Sequence, residues 1–138
     1  MTDKILIEII PVTDERIPVR RVIQPRGELA MIEDGRQFRH LTYFTLKKGG
    51  AFFRGGHYHL EKLEHFYLAE GRLRITFVDL DSGESSNLEV PTGARVTIEP
   101  RCAHRFDAIE EARVIEYFDS VHDPNDDHRY DPLSQAVR

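Results

Sequence analysis

The sequence of 138 residues contains no tryptophan and a single cysteine, Cys102. A lone cysteine has no partner within the chain, which excludes a disulfide-stabilised scaffold. The sequence also lacks any run of the ~18–20 apolar residues that a membrane-spanning helix needs. Residues 1–10 lack the basic leader and the small-residue cleavage site of a signal peptide. We therefore expect a cytoplasmic protein with no membrane segment.

The sequence also has fewer positively than negatively charged residues. Lys and Arg total 19 against 24 Asp and Glu, so the formal net charge is −5. An acidic chain is a poor match for the phosphate backbone of DNA or RNA, which excludes a nucleic-acid polymer as the ligand. The length fits one domain, and 40% hydrophobic residues are too many for a disordered chain. We expect a single domain, residues 1–138, that acts on a small molecule.

The sequence is rich in short runs of Ile, Val, Phe, Tyr and Thr, separated by regularly spaced turn signals such as DG at residues 34–35 and EG at residues 70–71. Between residues 72 and 79, apolar side chains alternate with polar ones, which is the period of a half-buried strand. Helical periodicity is weak throughout. This pattern predicts an all-β sandwich or barrel with its core at about residues 38–118.

The two ends of the chain differ from this central region. Residues 4–10 (KILIEII) form an apolar segment with high strand propensity. Because an exposed apolar strand edge invites pairing, we predict that this segment pairs across the interface of a homodimer. Residues 119–138 are polar and interrupted by proline, which predicts a surface strap or a frayed terminus.

Three histidines and one glutamate have the spacing of a metal site. His57 and His59 are two residues apart, so they project from one face of a strand, and Glu64 follows after a gap (LEKL) that allows a tight reversal into a neighbouring strand. Glu64 and His104 both share their strand faces with apolar residues, so the four side chains point into the interior. A divalent metal ion offsets the cost of burying such a carboxylate. Mixed nitrogen and oxygen ligands suit Zn, Fe, Mn or Ni, and the sequence does not choose among them. No organic cofactor is predicted.

This spacing resembles the cupin superfamily, whose members are double-stranded β-helix (jelly-roll) barrels. The first cupin motif is an HxH pair followed by a glutamate and a glycine, and it is matched by His57, His59, Glu64 and Gly71. In the second cupin motif His104 is in register, but Glu99 and Arg101 stand at the usual proline and glycine positions. The resemblance implies a single-domain jelly-roll barrel.

Shorter matches resemble cupin enzymes that rearrange nucleotide-activated sugars, the dTDP-4-keto-6-deoxyhexose 3,5-epimerases and the 3,4-ketoisomerases. RGGH at residues 54–57 looks like their RGxH segment, and PRGEL at residues 25–29 looks like their opening. Tyr43 falls near a tyrosine of the ketoisomerases. HYHLEKLEHFYL, with the later DPNDD, is similar to the zinc-binding cupin domain of capsular polysaccharide reductases. The resemblance implies a role in the synthesis of surface-polysaccharide precursors.

The resemblance further implies an isomerase or epimerase that removes a proton alpha to a carbonyl and passes through an enediolate or enolate. Because histidine titrates near neutral pH, we predict that His57 or His59 is the catalytic base, with Tyr43 as a catalytic proton donor. Arg54 and Arg26 are the predicted substrate-binding residues, because a guanidinium group can hold a diphosphate with two hydrogen bonds.

Metal dependence and reaction type stay open at this point. The ketoisomerases work without a metal, as far as the resemblance implies, whereas this chain keeps a full ligand set. With a metal bound, the base is another group; Tyr43 is then a candidate proton donor, and His65 or Tyr67 are more distant candidates. One alternative is a metal-dependent cupin of another type, such as an Fe(II) oxygenase or a small-acid isomerase or lyase. The other is a non-catalytic ligand-binding cupin.

Overall fold

The computed structural model describes residues 2–135, and within that range it contains β-strands and two short 3₁₀ helices but no α-helix. The strands are β1 Ile5–Ile9, β2 Arg20–Gln24, β3 Gly27–Met31, β4 His40–Leu46, β5 Arg54–Tyr58, β6 Glu64–Asp79, β7 Ser85–Pro91, β8 Ala94–Ile98, β9 Cys102–Phe118 and β10 His128–Arg129. The 3₁₀ helices are Pro124–Asp126 and Asp131–Leu133. Neither of them has the length or apolar character to cross a membrane. The last three residues of the predicted tail, 136–138, lie outside the described range.

Two long strands, β6 and β9, organise the barrel. They pair with each other along almost their whole length, and every other strand except β2 and β3 joins them directly or through one neighbour. The first half of β6 pairs with β8 and with the end of β9, which also carries β4. The second half of β6 pairs with β7 and with the beginning of β9, which also carries β5. The sheet therefore folds into two layers that face each other, the arrangement of a jelly roll.

The fold into two layers occurs at Gly71, where the predicted turn is wrong. β6 continues through residues 70–71, and its register against β9 shifts repeatedly between Leu68 and Leu73. Gly71 has φ +97°, and a Cβ atom there would lie 2.2 Å from the carbonyl oxygen of Glu111. The glycine is required by a bulge in a continuous strand, which bends the strand from one layer to the other.

The barrel interior is filled by the apolar residues that alternation predicts. Leu73, Ile75 and Phe77 are buried along the second half of β6, whereas Arg72 and Arg74 between them are exposed. β8 and β9 contribute in the same way to one continuous core. Its largest fully buried apolar side chains are Phe77, Phe118, Leu68, Ile75, Ile98, Val90, Val96 and Val114.

The N-terminal segment finds its partner within the chain. β1 pairs antiparallel with β8, and Ile5 is buried in the core, so the ladder predicted across a dimer interface is formed here by β8 of the same protomer. Leu6 and Ile9 on β1 stay more than half exposed. The segment therefore belongs to its own barrel, and one edge of β1 is unpaired within residues 2–135.

The tail forms a strap over β5. β10 pairs with Tyr58 and His57, and the backbone N–H of Tyr130 donates to the carbonyl of Gly56 at 2.8 Å. The Ser134 hydroxyl donates to the same carbonyl at 2.6 Å. Gly56 allows this close approach, since a Cβ atom there would lie 2.8 Å from the Ser134 hydroxyl oxygen. The strap is therefore held against the strand that carries the HxH pair.

Candidate metal centre and substrate cavity

A cavity of about 350 Å³ opens between the two layers of the barrel. Its volume lies within the range of ~300–1,000 Å³ typical of small-molecule sites. One wall is apolar and is formed by the phenylalanines Phe44, Phe66, Phe106 and Phe118. The polar groups of the cavity come from β4, β5, the first residue of β6, β9 and the tail.

The four predicted metal ligands converge in this cavity. Each of His57, His59, Glu64 and His104 offers one ligand atom, and these atoms all lie within 4.8 Å of one another. The prediction that Glu64 lies on the strand next to β5 is wrong, because β9 lies between β5 and β6 in the sheet. Glu64 instead begins β6 in one layer and faces the histidines of the other across the interior.

The ring hydrogen bonds show which nitrogens carry protons. His59 Nδ1 donates to the carbonyl of Asp126, and His104 Nδ1 donates to the carbonyl of Cys102 at 3.0 Å. A carbonyl can only accept, so both Nδ1 atoms carry protons, and the Nε2 atom of each ring faces the cavity. Such backbone partners are typical of metal-ligating histidines.

Three buried polar atoms meet at the centre of the site, and in the neutral rings both Nε2 atoms carry lone pairs. The Nε2 atoms of His59 and His104 lie 3.1 and 3.2 Å from the same oxygen of Glu64, Oε1. None of these three atoms has a hydrogen-bond partner among the described residues. Converging lone pairs repel unless a cation lies between them. The residues present thus fit a divalent metal ion.

The charges around Glu64 are consistent with that fit. Burial alone would favour the neutral acid, but the attraction of His104 and the hydrogen bond from Glu116 hold the pKa of Glu64 well below its usual value. Burial and the proximity of Glu64 raise the pKa of Glu116 to about 9, so Glu116 is a neutral donor. Burial, together with His104, lowers the pKa of His57 to about 4, which leaves its lone pair free.

Two aspartates of the tail position the ligands, and sequence reasoning missed both. The Asp126 carboxylate accepts hydrogen bonds from the backbone N–H groups of residues 60, 61 and 62, at 2.7, 3.1 and 3.1 Å, and so fixes the loop before Glu64. The Oδ1 atom of Asp127 lies 2.9 Å from His57 Nδ1. The signal was present in the DPNDD segment, which the family resemblance singled out without a role.

Arg54 lies where a substrate would enter. It is exposed at the beginning of β5, lines the cavity, and donates from Nε to the carbonyl of Thr45 at 3.1 Å. Its guanidinium group lies 5.0 Å from the centre of the Phe44 ring. The remaining donors of the guanidinium are therefore available at the rim.

Two predicted site residues lie elsewhere. Tyr43 is 56% exposed, and its neighbours Thr42 and Phe44 line the cavity, so strand alternation turns Tyr43 to the outer surface. Arg26 stands in the turn between β2 and β3, whose sheet is separate from the barrel, and its Nε donates to Gln24. Neither residue faces the metal-ligand cluster in this protomer, and the structure does not support the roles predicted for them there.

The lone cysteine takes no part in the site. Cys102 is buried, and burial raises the pKa of its thiol to about 12. Such a thiol is a small apolar group rather than a nucleophile. Its contribution is the backbone carbonyl that orients His104.

Comparison with known proteins identifies the family. A family described as the polysaccharide biosynthesis C-terminal domain matches residues 23–130, most of the chain. The chain belongs to this family. No curated protein sequence matches the chain. Membership agrees with the resemblance to polysaccharide-precursor enzymes that the HxH segment and DPNDD suggest.

Solved structures show the fold of this family member. A double mutant of the QdtA 3,4-ketoisomerase from Thermoanaerobacterium thermosaccharolyticum, in complex with TDP, is 20% identical, with a TM-score of 0.73 over 96% of this chain and 93% of that one. The dTDP-4-dehydrorhamnose 3,5-epimerase from Sulfolobus tokodaii is 18% identical, with a TM-score of 0.74 over 100% and 84%. CapF from Staphylococcus aureus is 22% identical, with a TM-score of 0.59, and the similarity covers 84% of this chain but 33% of CapF. The prediction of an all-β, cupin-like jelly roll is confirmed.

Proposed function

We propose that this protein is an isomerase or epimerase of a nucleotide-activated keto-deoxysugar in the synthesis of surface-polysaccharide precursors, acting in the cytoplasm. The observation that carries the proposal is the polar cluster around Glu64, enclosed in a cavity of sugar-binding size with Arg54 at its rim. Family membership supports the pathway. A similar structure, QdtA with TDP-4-keto-6-deoxyglucose bound, supports the substrate class.

The reaction begins with removal of the proton alpha to the sugar carbonyl. The electrons of the broken C–H bond form a C=C bond, and the carbonyl electrons move to oxygen, which gives an enolate or enediolate. Return of the proton to the former carbonyl carbon, with transfer of the hydroxyl proton from the alpha carbon's oxygen to the enolate oxygen, moves the carbonyl. Return of a proton to the opposite face of the same carbon inverts that carbon. Either outcome needs a base and a positive group beside the developing oxyanion.

Substrate binding divides between the rim and the interior. The exposed Arg54 guanidinium is suited to hold the diphosphate with two hydrogen bonds. Inside, the phenylalanine wall suits the carbon skeleton of a deoxysugar, because a missing hydroxyl leaves an apolar surface to bury. The nucleotide then remains near the cavity mouth.

We further propose that His57, His59, Glu64 and His104 hold a divalent metal ion. When bound, the ion supplies a Lewis acid that stabilises negative charge on the substrate oxygen. His57 and His59, the two histidines predicted as the base, would then be ligands without a free nitrogen. One nitrogen of each ring would bind the ion, and the other contacts Asp127 in the case of His57 and Asp126 in the case of His59. Elemental analysis of protein purified without chelator should give about one ion per chain, and a protein that binds neither Zn, Fe, Mn nor Ni would overturn this part.

Solvent exchange tests the reaction. The metal-loaded protein is incubated in D2O with dTDP- or UDP-4-keto-6-deoxyglucose, and deuterium at C3 and C5 is followed by proton NMR. We expect deuterium at one or both carbons at a rate well above that of a protein-free control. Absence of exchange with both nucleotides, from folded protein, would overturn the proposed function.

A metal-dependent cupin of another reaction type is the second candidate. It is favoured by the ligand set itself, because three imidazoles and a carboxylate also suit Fe(II) chemistry with dioxygen. Oxygen consumption by the Fe(II)-loaded protein, measured with an electrode in the presence of candidate small acids, distinguishes the two. Deuterium exchange without oxygen uptake excludes the oxygenase.

We also propose a homodimer. Leu6 and Ile9 are exposed on β1, and Ile23 and Leu29 are each 59% exposed on the separate β2–β3 hairpin. Apolar side chains concentrated in the N-terminal region favour burial against a second copy. Multi-angle light scattering should give twice the 16.0 kDa chain mass at micromolar concentration, and a monomer would contradict the proposal.

A further inference from the structure

The proposed reaction leaves the identity of the base open once the cluster histidines hold a metal. The structure removes the candidates that the sequence offers. Tyr43 faces the outer surface. His65 and Tyr67 alternate with Glu64 and Phe66 along β6, so they lie on the side of the strand away from the cavity.

His40, the first residue of β4, lines the same cavity. Its ring is stacked on Phe118 with a centroid separation of 4.1 Å and an interplanar angle of 8°. Its Nε2 atom is hydrogen-bonded to the Thr42 hydroxyl. The Nδ1 atom makes no hydrogen bond to any residue in the described range 2–135. The imidazole is thus held in a fixed plane with one nitrogen uncommitted.

The surroundings of His40 keep it in the form that accepts a proton. The ring of His122, from the tail, lies 5.9 Å away, and Lys62 is the nearby cation. Burial, with the contributions of His122 and Lys62, lowers the pKa of His40. A neutral imidazole at physiological pH is the state that a general base needs.

His40 and the three histidines of the cluster lie in different layers of the barrel. β4 pairs with the end of β9, so that His40 is opposite Phe118 in the ladder, whereas β5 pairs with the beginning of β9, so that His57 is opposite His104. Both groups line one cavity. A sugar bound there can present a carbon to one wall and its carbonyl oxygen to the other.

We propose that His40 is the general base, an inference that rests on the proposed isomerase or epimerase function. Its free nitrogen takes the proton from the carbon alpha to the carbonyl, and the C–H electron pair becomes the enolate C=C bond. The same imidazolium can return that proton to the former carbonyl carbon while the hydroxyl proton on the alpha carbon's oxygen passes to the enolate oxygen, so the carbonyl moves and the step needs no oxidant, reductant or co-reactant.

The test compares His40→Asn and His40→Ala with Leu41→Thr, a matched control on the exposed, outward-facing side of the same strand. Deuterium incorporation into TDP-4-keto-6-deoxyglucose is measured at saturating substrate, together with TDP affinity by calorimetry and bound metal. We expect the exchange rate of both His40 variants to fall about 100- to 10,000-fold, the usual contribution of a general base. TDP affinity and metal content should stay at the wild-type level. Added imidazole should partly restore exchange in His40→Ala, which a merely structural role would not allow.

A second measurement uses the wild-type protein and does not depend on the folding of a variant. Diethyl pyrocarbonate modifies neutral imidazoles, and mass spectrometry locates the modified residue. TDP-4-keto-6-deoxyglucose should protect His40 and leave the reactivity of His128, a half-buried histidine outside the cavity lining, unchanged.

The outcomes separate the two proposals. Wild-type exchange that persists in the His40 variants, or an absence of protection at His40, overturns the assignment of the base and leaves the proposed function standing. An absence of exchange in the wild-type protein overturns both.

Discussion

Two buried carboxylates stand at opposite ends of β6 and have opposite environments. Glu64 begins the strand and Asp79 ends it, and they are 2% and 5% exposed. Asp79 accepts hydrogen bonds from the Lys4 ammonium at 2.6 Å, the Thr2 hydroxyl at 2.6 Å and the backbone N–H of Asp81 at 2.9 Å. One oxygen of Glu64 instead faces the Nε2 atoms of His59 and His104 and has no hydrogen-bond partner among the described residues.

The difference separates a structural carboxylate from a functional one. Asp79 is surrounded by donors and a cation from its own chain, so its environment is complete, and it ties the N-terminus to the end of β6. Glu116 donates to Glu64, and the Lys62 ammonium lies 3.8 Å from its Oε2, but Oε1 has no hydrogen-bond partner among the described residues, and the proposed metal ion would complete it. A buried group that its own protein leaves unsatisfied is the more informative of the two, because natural folds satisfy buried polar groups wherever function does not require otherwise.

The largest expected effect is that of Glu64→Gln. The amide removes the charge and offers a donor to His59 or His104, so we expect metal affinity to fall more than about 100-fold, beyond the loss seen when an outer-shell partner is removed. The metal-free variant should be at least as stable as the metal-free wild type, because the repulsion between acceptors is relieved. Isothermal titration with Zn²⁺ and thermal denaturation check both parts. Unchanged zinc affinity would contradict the distinction drawn between the two carboxylates.

The next effect is that of Asp126→Ala, which leaves every proposed ligand in place. Loss of the acceptor for three backbone N–H groups loosens the loop before Glu64, and we expect metal affinity to fall about 10- to 100-fold. Asp131→Ala is the matched control, since Asp131 is an exposed residue of the same strap that pairs with Arg129 only at the surface. Equal affinities in the two variants would show that the strap does not position the site.

A smaller effect is expected at the cavity rim. Arg54→Ala should raise KM for a nucleotide-activated keto sugar about tenfold, as expected for the loss of one charge-assisted contact. Metal content should not change, because the residue is not among the proposed ligands. Arg72→Ala, at an exposed position paired with Glu89, serves as the control. Initial-rate kinetics measure KM for both variants. A KM for Arg54→Ala equal to that of the control would show that Arg54 does not bind the substrate.

The smallest effect on function is that of Asp79→Asn, which should lower the melting temperature by several degrees and leave metal affinity unchanged. Hydrogen bonds from Lys4 and Thr2 hold the pKa of Asp79 well below its usual value in the folded protein. Its contribution to stability is therefore present above pH ~4, the unfolded pKa, and is lost as the pH falls toward the lower folded pKa. Melting curves of the two proteins should converge as the pH drops below 4. A difference that widens there would contradict the assignment.

Much of the barrel could be predicted from the sequence, because strand alternation is a local property. The pattern of Leu73, Ile75 and Phe77 determines which face of β6 is buried, whatever strand lies beside it. One departure from the cupin motif, an arginine at the position of the usual glycine, keeps the backbone conformation that the glycine would have. Arg101 has φ 64°, the left-handed conformation that favours the glycine expected there, and its N–H donates to the His59 carbonyl at 2.7 Å.

The alternation of buried and exposed residues does not predict which residues are buried where other segments cover the outer side of a strand, as they do on β9. Arg105 alternates with His104 and Phe106 along β9, so alternation alone places it on the solvated side, yet it is 5% exposed. Its guanidinium lies 4.1 Å from the centre of the Phe53 ring and donates to Asp107 at 2.9 Å. The covering segments are distant in sequence, so no local pattern marks this side as buried.

By itself the sequence determined the strand content, the inward faces and the set of residues in the metal-ligand cluster, because spacing along a strand fixes the side on which each residue lies. Only the tertiary structure decided which groups complete the site. Glu64 meets the histidines across two layers, Asp126 and Asp127 reach them from a strap more than 60 residues away, and His40 enters from β4 while Tyr43, three residues on, turns outward. These contacts depend on which strands pair, and strand pairing is settled by the packing of the whole barrel rather than by any one segment.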